Sequence, residues 1–188
     1  MAIDSIRVSL LSYQRVVILK QKNGDRYLPI WVGPAEADAI AVRLQDVAVP
    51  RPLTHDLLHS VLSELGAAID HIVVSGLDHE TFFAKILLSV GERNIPIDSR
   101  PSDALAMAVR AKVPIFADET VLDKAGVQLD KEGGVIVGSD EAKAGLEATK
   151  PVDDKELKTL SAFHDFVESL DIDDIGEATK RAEDLDKS

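Results

Sequence analysis

The chain repeats itself at a constant spacing of 67 residues, and this repeat limits the folds that it can adopt. Residues 24–43 align with residues 91–110 without a gap, and ten of the twenty positions are identical. Chance would give roughly one or two identities over that length, so we interpret the match as an internal duplication. The alignment extends back to residues 6–23 and 73–90, where the pattern of apolar residues is similar although fewer residues are identical.

Each copy predicts three strands followed by a helix. In the first copy, two apolar runs, Arg15–Lys20 and Arg26–Val32, are joined by Asn23-Gly24, a dipeptide typical of two-residue hairpin turns. Pro34 then stands where a helix would begin, a position at which the missing N–H of proline has no helical partner anyway. We therefore predict an α+β fold, in which internally duplicated β-β-β-α units form a largely antiparallel or mixed sheet with helices packed on it.

A further helix is predicted between the two copies. Thr54 is a good N-cap for it, because a threonine hydroxyl can accept a hydrogen bond from the free N–H groups of the first turn. The apolar residues that follow have helical spacing, so we expect them to face the core. These residues are Leu57, Leu58, Val61, Leu62 and Leu65.

Residues 16–19 are apolar on both faces of their predicted strand. A sheet covered by helices on one side only would not need that pattern. Either the C-terminal part of the chain or another subunit must therefore cover the second face. We predict a homodimer.

The sequence divides into three parts. We predict a folded domain over residues 1–130, a linker over 131–152, and an acidic C-terminal helix with a mobile tail over 153–188. An apolar stripe at 157–170 suggests that this helix docks on the domain or on a protein partner. Residues 171–188 are acidic and lack aromatic side chains, which is typical of mobile segments.

The net charge of −12 narrows the range of partners. Residues 1–140 hold 14 Lys/Arg and 19 Asp/Glu, while residues 141–188 hold 7 and 14. An acidic protein repels nucleic acid at long range, which argues against sequence-independent coating of DNA. A local basic groove, or binding through divalent ions, remains open.

Several classes of protein are excluded by what the sequence lacks. There is no cysteine, which excludes disulfides, thiolate metal sites and cysteine nucleophiles. The N-terminus lacks the features of a signal peptide, and no apolar run is long enough to cross a membrane. We therefore expect a cytoplasmic protein with no membrane partner.

The two copies differ most where the third strand meets the helix. Residues 31–36 of the first copy correspond to residues 98–103 of the second, where two carboxylates, two hydroxyls and a guanidinium fall within six residues. The prolines and alanines common to both copies suit the turn and the helix packing, but the fold does not require the polar groups. Of the polar residues, only the acid at Glu36 and Asp103 occurs in both copies.

Each residue of this cluster has a structural alternative. Asp103 can stabilise the first turn of the helix. Ser99 and Ser102 suit capping better than nucleophilic attack, because no histidine is close in sequence to activate them. Asp98 stands where a strand residue should be apolar, so it either binds or reacts with a ligand or pairs with Arg100. Arg100 at a helix N-terminus suits a phosphate, or else an ion pair with Asp98 or Asp103.

His55 and Asp56 open the helix between the copies and follow Arg51 closely in sequence. A histidine beside an aspartate could form a general base or contribute to a metal site. The alternative is an ordinary surface turn. The remaining histidines lack the spacing of zinc ligands.

Three motifs resemble signatures of the bifunctional nuclease domain family. They are Tyr-Leu-Pro-Ile-Trp-Val-Gly at 27–33, Arg-Pro-Leu-Thr-His-Asp-Leu at 51–57 and Asp-Ser-Arg-Pro-Ser-Asp-Ala at 98–104, with Glu36-Ala37 after the first. The resemblance runs from about residue 3 to residue 128, with the motifs in the family order. It implies an α+β fold, an oligomer that is usually a dimer, and metal-assisted phosphodiester hydrolysis of DNA and RNA.

The resemblance also implies a set of site residues. The catalytic candidates are Glu36, His55, Asp56, Asp98 and Asp103. For substrate binding the resemblance implies Arg100 and Ser102, to which we add Arg51 and Ser99 from their positions beside these residues in the sequence. We expect Asp98 with Asp103 or Glu36 to hold Mg²⁺ or Mn²⁺, since both ions prefer oxygen ligands, and His55 to carry a proton. The alternative is a non-enzymatic regulatory protein that acts through its oligomer surface and the helix at 157–170.

Overall fold

The computed structural model describes residues 1–9, 14–129, 135–137 and 149–151. The strands in this part of the chain are β1 (Ala2–Ser9), β2 (Arg15–Lys20), β3 (Arg26–Val32), β4 (Ala67–Asp78), β5 (Thr81–Val90), β6 (Arg93–Ser99), β7 (Ile115–Ala117), β8 (Val127–Leu129), β9 (Val135–Val137) and β10 (Thr149–Pro151). The helices are α1 (Pro34–Leu44), α2 (Thr54–Glu64), α3 (Pro101–Ala111) and α4 (Glu119–Ala125).

The predicted duplication is confirmed by a similar β-β-β-α arrangement in each half. β3 and β6 have the same length and begin 67 residues apart, and the same is true of α1 and α3. Gly33 and Arg100, the two N-cap residues, have similar backbone angles, with φ −65° and ψ 153° against φ −70° and ψ 147°. The repeat in sequence is thus a repeat in structure, with α2 inserted between the copies.

The strands form two sheets, and each copy contributes its three strands to a sheet of its own. The described part of the first sheet has the order β10-β1-β2-β3-β8-β9, with every pair antiparallel. The second has the order β6-β5-β4-β7, in which β7 runs parallel to β4 and the other pairs are antiparallel. The predicted α+β class is confirmed.

One apolar core joins both sheets and their helices. Leu28 and Ile30 of the first sheet, Ile72 and Val74 of the second, and Leu105 of α3 belong to a single buried cluster. Residues 104–108 of α3 are all buried, and three of them are alanines, which let neighbouring elements approach closely. The helix that follows the polar cluster is therefore the central helix of the fold.

The strand β2 is buried on both faces, as its sequence indicated. Residues 16–19 have no exposed surface, and Val16 and Ile18 form a second apolar cluster with Val127, separate from the main core. The homodimer inferred from this pattern stays a prediction.

The expected burial of the apolar face of α2 is wrong. Leu57, Leu58, Val61 and Leu65 are 59%, 43%, 44% and 74% exposed, and no residue of α2 is fully buried. Only Leu62 of that face packs, partly buried, against the core. The physical reason is that α2 turns polar side chains of its first turn towards α3 and leaves its apolar face outside.

Two expectations concern the C-terminal quarter. The helix at 157–170 and the tail at 171–188 lie outside the described residues. Two short strands, β9 and β10, fall within the segment predicted as a linker and pair with β8 and β1. Among the described residues, no helix is long and apolar enough to cross a membrane.

The central position of α3 leads to a stability prediction. Leu105→Ala should lower the free energy of unfolding by about 2–5 kcal/mol, because it leaves a cavity in a fully buried site. Leu44→Ala removes the same atoms from a side chain at the end of α1 that is 47% exposed, and it should cost less than about 1 kcal/mol. Urea unfolding of both variants measures the difference, and equal losses would contradict the assignment of the core.

Candidate functional site

Arg100 joins two carboxylates from the two copies of the repeat. Its Nε and Nη2 atoms donate to Asp103 Oδ2 and Oδ1 at 2.7 and 3.0 Å, in a two-point contact within the first turn of α3. Its Nη1 atom lies 2.9 Å from Oε1 of Glu36, in the first turn of α1. The guanidinium thus connects the N-terminal turns of two neighbouring helices.

Glu36 and Asp103 occupy equivalent positions of the two copies, whereas Arg100 corresponds to Gly33. A Cβ atom on Gly33 would collide with the carboxylate of Glu36. The first copy therefore leaves room for the Glu36 carboxylate at the position where the second copy has the side chain of Arg100. This difference allows one guanidinium to serve both acids.

His55 extends the cluster from α2. Its Nε2 atom lies 3.1 Å from Oδ1 of Asp103, and its side chain is only 11% exposed. The surface-turn alternative for His55 therefore does not apply. Glu36, Arg100, Asp103 and His55 form one continuous chain of contacts across α1, α3 and α2.

The electrostatics of the cluster keep Asp103 ionised. Burial raises the pKa of the Asp103 carboxyl, but hydrogen bonds from Arg100 and His55 outweigh burial, so the pKa lies below its usual value. Hydrogen bonding to Asp103 and Glu36 in turn raises the pKa of Arg100.

Asp56 belongs to a second ion pair beside the first. Its Oδ1 atom accepts a hydrogen bond of 2.8 Å from Nε of Arg110, and its Oδ2 atom accepts one of 2.9 Å from the backbone N–H of Leu53. Leu53, and not Thr54, is the N-cap residue of α2. Burial raises the pKa of Asp56, but the bonds from Arg110 and Leu53 outweigh it and the pKa is lowered.

The strand register separates Asp98 from this cluster. Asp98 lies opposite Lys85, while its neighbour Ile97 lies opposite the buried Ile86. Because side chains alternate across a strand, Asp98 lies on the face of the sheet away from the core and from α3. Its exposure is consistent with that placement.

The remaining predicted residues differ in their surroundings. Ser102 is 6% exposed at the start of α3. The hydroxyl of Ser99 is buried and has no hydrogen-bond partner within the described part of the chain. Arg51 is exposed in the segment that leads to α2. The substrate-binding role given to these three residues stays a prediction.

The side chains as placed do not fit the predicted metal site. Asp103 binds Arg100 through both oxygens, and Asp98 lies on the opposite face of its sheet. In the described ranges, no three Asp, Glu or His side chains are grouped so that they could hold a metal ion. The requirement for Mg²⁺ or Mn²⁺ stays a prediction, and we derive no step through such an ion.

Arg110 is the residue of this region that the sequence analysis did not single out. It is one of the ten positions identical in the two copies, where it corresponds to Arg43. Identity between the copies indicates a residue that the fold itself requires. In the structure Arg110 is 7% exposed, whereas Arg43 is on the surface. A charged residue at the last turn of an otherwise apolar helix was the signal available.

Comparison of the sequence with known protein families shows which family this chain belongs to. The model of the bifunctional nuclease domain matches residues 17–130, so this chain belongs to that family. The match runs from within β2 to the end of β8 and includes every residue of both ion-pair clusters. The resemblance drawn from the three motifs is thereby confirmed.

Individual relatives differ in how far they are described. An uncharacterised protein of Mycobacterium tuberculosis is 41% identical over 169 residues, which cover 90% of this chain and 93% of that protein. Bifunctional nuclease 1 of Arabidopsis thaliana is 28% identical over 173 residues, or 86% of this chain and 53% of that one. The bifunctional nuclease of Oryza minuta is 26% identical over 117 residues, or 60% and 35%.

Because the pKa of Asp103 is lowered in the folded protein, the free energy of unfolding should depend on pH. A carboxyl whose pKa falls on folding stabilises the native state above the unfolded pKa of about 4, and this contribution is lost as the pH falls through the folded pKa. The stability difference between wild type and Asp103→Asn should therefore be full at pH 7 and shrink below about pH 4. Urea unfolding at pH 7, 5 and 3 measures it.

The control compares the single variant Arg100→Gln with the double variant that carries Arg100→Gln and Asp103→Asn. Without the guanidinium, Asp103→Asn should change stability less at pH 7, because the carboxylate has lost its two-point partner. A stability difference between wild type and Asp103→Asn that is as large at pH 3 as at pH 7 would contradict the assignment.

Proposed function

We propose that this chain hydrolyses phosphodiester bonds of DNA and RNA at the cluster of Glu36, His55, Arg100 and Asp103. The observation that supports the proposal most directly is the His55–Asp103–Arg100 contact at the N-terminus of α3. In this contact a histidine, which can carry a proton, lies beside a guanidinium, which can bind a phosphate, and the chain belongs to the bifunctional nuclease domain family. The plant relatives bear the name of that activity.

Arg100 would bind the scissile phosphate. Its side chain is 66% exposed, so a substrate can reach it, and it stands where α3 begins. Free backbone N–H groups and the positive end of the helix dipole add to the attraction for an anion. Because both carboxylates already contact the guanidinium, a phosphate has to compete with Glu36 or Asp103 for its donors.

His55 would carry the proton, and Asp103 would orient it. A carboxylate bonded to one imidazole nitrogen fixes the ring and stabilises its charged form, which leaves the other nitrogen for the substrate. Here Nε2 faces Asp103, so Nδ1 would face the substrate.

A cleavage assay tests this assignment. His55→Gln should reduce the rate of cleavage of single-stranded and duplex substrates about 100-fold, because general acid–base catalysis contributes at least that factor. The matched control is His79→Gln, since His79 also pairs with an aspartate, Asp78, but is 94% exposed in another part of the chain. Equal rates in the two variants would rule out His55 as proton carrier.

The same assay separates the two predicted metal residues. Asp103→Asn should reduce cleavage strongly, because it removes the partner of both His55 and Arg100. Asp98→Asn, on the other face of its sheet, should reduce cleavage comparably only if Asp98 holds a metal ion. Wild-type assays with Mn²⁺ and with EDTA complete the test, since cleavage that EDTA does not affect would contradict the metal requirement.

A second candidate function is supported by the exposed face of α2. Four large apolar residues, Leu57, Leu58, Val61 and Leu65, stand on one helix with no cover from the described residues. Patches of this kind usually mark interaction sites. A regulatory protein that acts through its oligomer surface would need such a face, and cleavage by the chain would not be required.

We propose that a second copy of the chain covers this face. The patch has no charged residue among its four members, so the same patch on a second copy is a complementary partner under twofold symmetry. Burying it would also remove the apolar surface that α2 exposes. The helix at 157–170, which lies outside the described residues, is the competing occupant.

The oligomeric state tests the role of α2. Leu57→Glu combined with Leu65→Glu should convert a dimer to a monomer, because two charges per subunit would be buried without partners. Light scattering after gel filtration measures the mass, with Ser63→Glu on the exposed side of the same helix as control. A monomeric wild type, or a dimer that survives the double substitution, would contradict the proposal.

A further inference from the structure

We propose that Arg110, which lies two turns along α3 from Asp103, positions His55 in the candidate site. The inference rests on the proposed function, because the placement of His55 matters for the reaction only if the site acts on a substrate. Arg110 reaches the site through Asp56 and the first turn of α2. It is therefore a positioning residue and not a catalytic one.

The guanidinium of Arg110 forms hydrogen bonds to residues of three helices. Its Nε atom donates to Asp56 of α2 at 2.8 Å, and its Nη1 atom donates to the carbonyl oxygens of Ala106 in α3 and Ala39 in α1 at 2.9 and 3.2 Å. Its side chain is only 3% exposed. A buried guanidinium with fixed partners permits little movement of any of them.

Asp56 transmits this constraint to the beginning of α2. Its two oxygens have different partners, since Oδ1 binds Arg110 and Oδ2 binds the backbone N–H of Leu53 at the N-cap. The carboxylate is thus held at the same time by α3 and by its own helix. The backbone turn that contains Asp56 also contains His55, so a fixed Asp56 fixes the origin of the His55 side chain.

The spacing along α3 brings both contacts to one side of that helix. Asp103 and Arg110 are seven residues apart, which is close to two helical turns, so they lie on the same face. The first turn of α2 is therefore attached to α3 at two points, through His55 to Asp103 and through Asp56 to Arg110. Arg110 is the better buried of the two points on α3.

Among the described residues of one copy of the chain, few other contacts hold α2 in place. None of its residues is fully buried, and of its apolar stripe only Leu62 packs on the main core. An ordinary surface helix is held by a buried apolar face, and this helix lacks one. The polar contact between Asp56 and Arg110 consequently carries much of the orientation of α2.

The internal repeat supplies a matched control. Arg43 of α1 is the equivalent of Arg110 and is exposed. Its charge attracts Asp56, but the hydrogen bond to Asp56 comes from Arg110. Replacing Arg43 removes a positive charge near Asp56 and leaves that hydrogen bond in place.

Carbon-13 NMR titration of Asp103 tests the proposal without relying on cleavage. In Arg110→Met, α2 should lose its orientation and His55 its bond to Asp103, so the pKa of Asp103 should rise towards its usual value. In Arg43→Met, the pKa of Asp103 should stay as in wild type. Should Arg110→Met fail to fold by circular dichroism, Asp56→Asn removes the ion pair and one of the two acceptor oxygens with a side chain of equal size.

Cleavage kinetics provide the second measurement. Arg110→Met should lower kcat about tenfold or more, because small displacements of a reacting group are costly, while KM stays close to wild type since Arg100 is intact. Unchanged titration of Asp103 in Arg110→Met and in Asp56→Asn would overturn the positioning role. If wild type does not cleave but the titration shifts as expected, Arg110 positions His55 and the nuclease proposal fails.

Discussion

The site depends on one guanidinium that binds two carboxylates and so offsets their mutual repulsion. Duplication brings Glu36 and Asp103 to the first turns of neighbouring helices, where each is favoured by the positive end of its helix dipole. Together they would repel one another, and Arg100 removes that repulsion by binding both. His55 can then approach Asp103 and join the cluster. The arrangement requires the two copies to be unequal, with glycine in one N-cap position and arginine in the other.

Most of the fold could be predicted because its signals are local. Asn23-Gly24 marks a hairpin, Pro34 and Pro101 mark helix starts, and the offset of 67 carries one copy onto the other. The division into two sheets could not be predicted, since alternation along a strand says nothing about which sheet it joins. The exposure of α2 could not be predicted either. The apolar stripe of α2 predicted that this side of the helix would be buried. In the structure, the buried Arg110 binds Asp56, so the polar side of α2 faces inward instead.

The sequence indicated where the candidate site lies, but it did not indicate which residues contact one another there. The contrast between the two copies drew attention to Arg100 and Asp103, which lie at the centre of the cluster. Their partners come from α1 and α2, and only the packing of three helices brings them together. Strand parity did hold the information that separates Asp98 from the cluster, because Ile95 packs against the core and Asp98 points to the other side of β6. Arg110 was overlooked because a residue repeated in both copies can be exposed in one and buried in the other.

The weak attachment of α2 has a consequence for how the molecule loses its site. Elements with few buried apolar contacts open locally with a smaller free energy than the global unfolding of the core. α2 is such an element, while α3 and the strands beneath it belong to the fully buried cluster. His55 would therefore leave the cluster in brief openings during which Glu36, Arg100 and Asp103 stay in place. The rate of these openings, and not the stability of the whole fold, would set how long the assembled site persists.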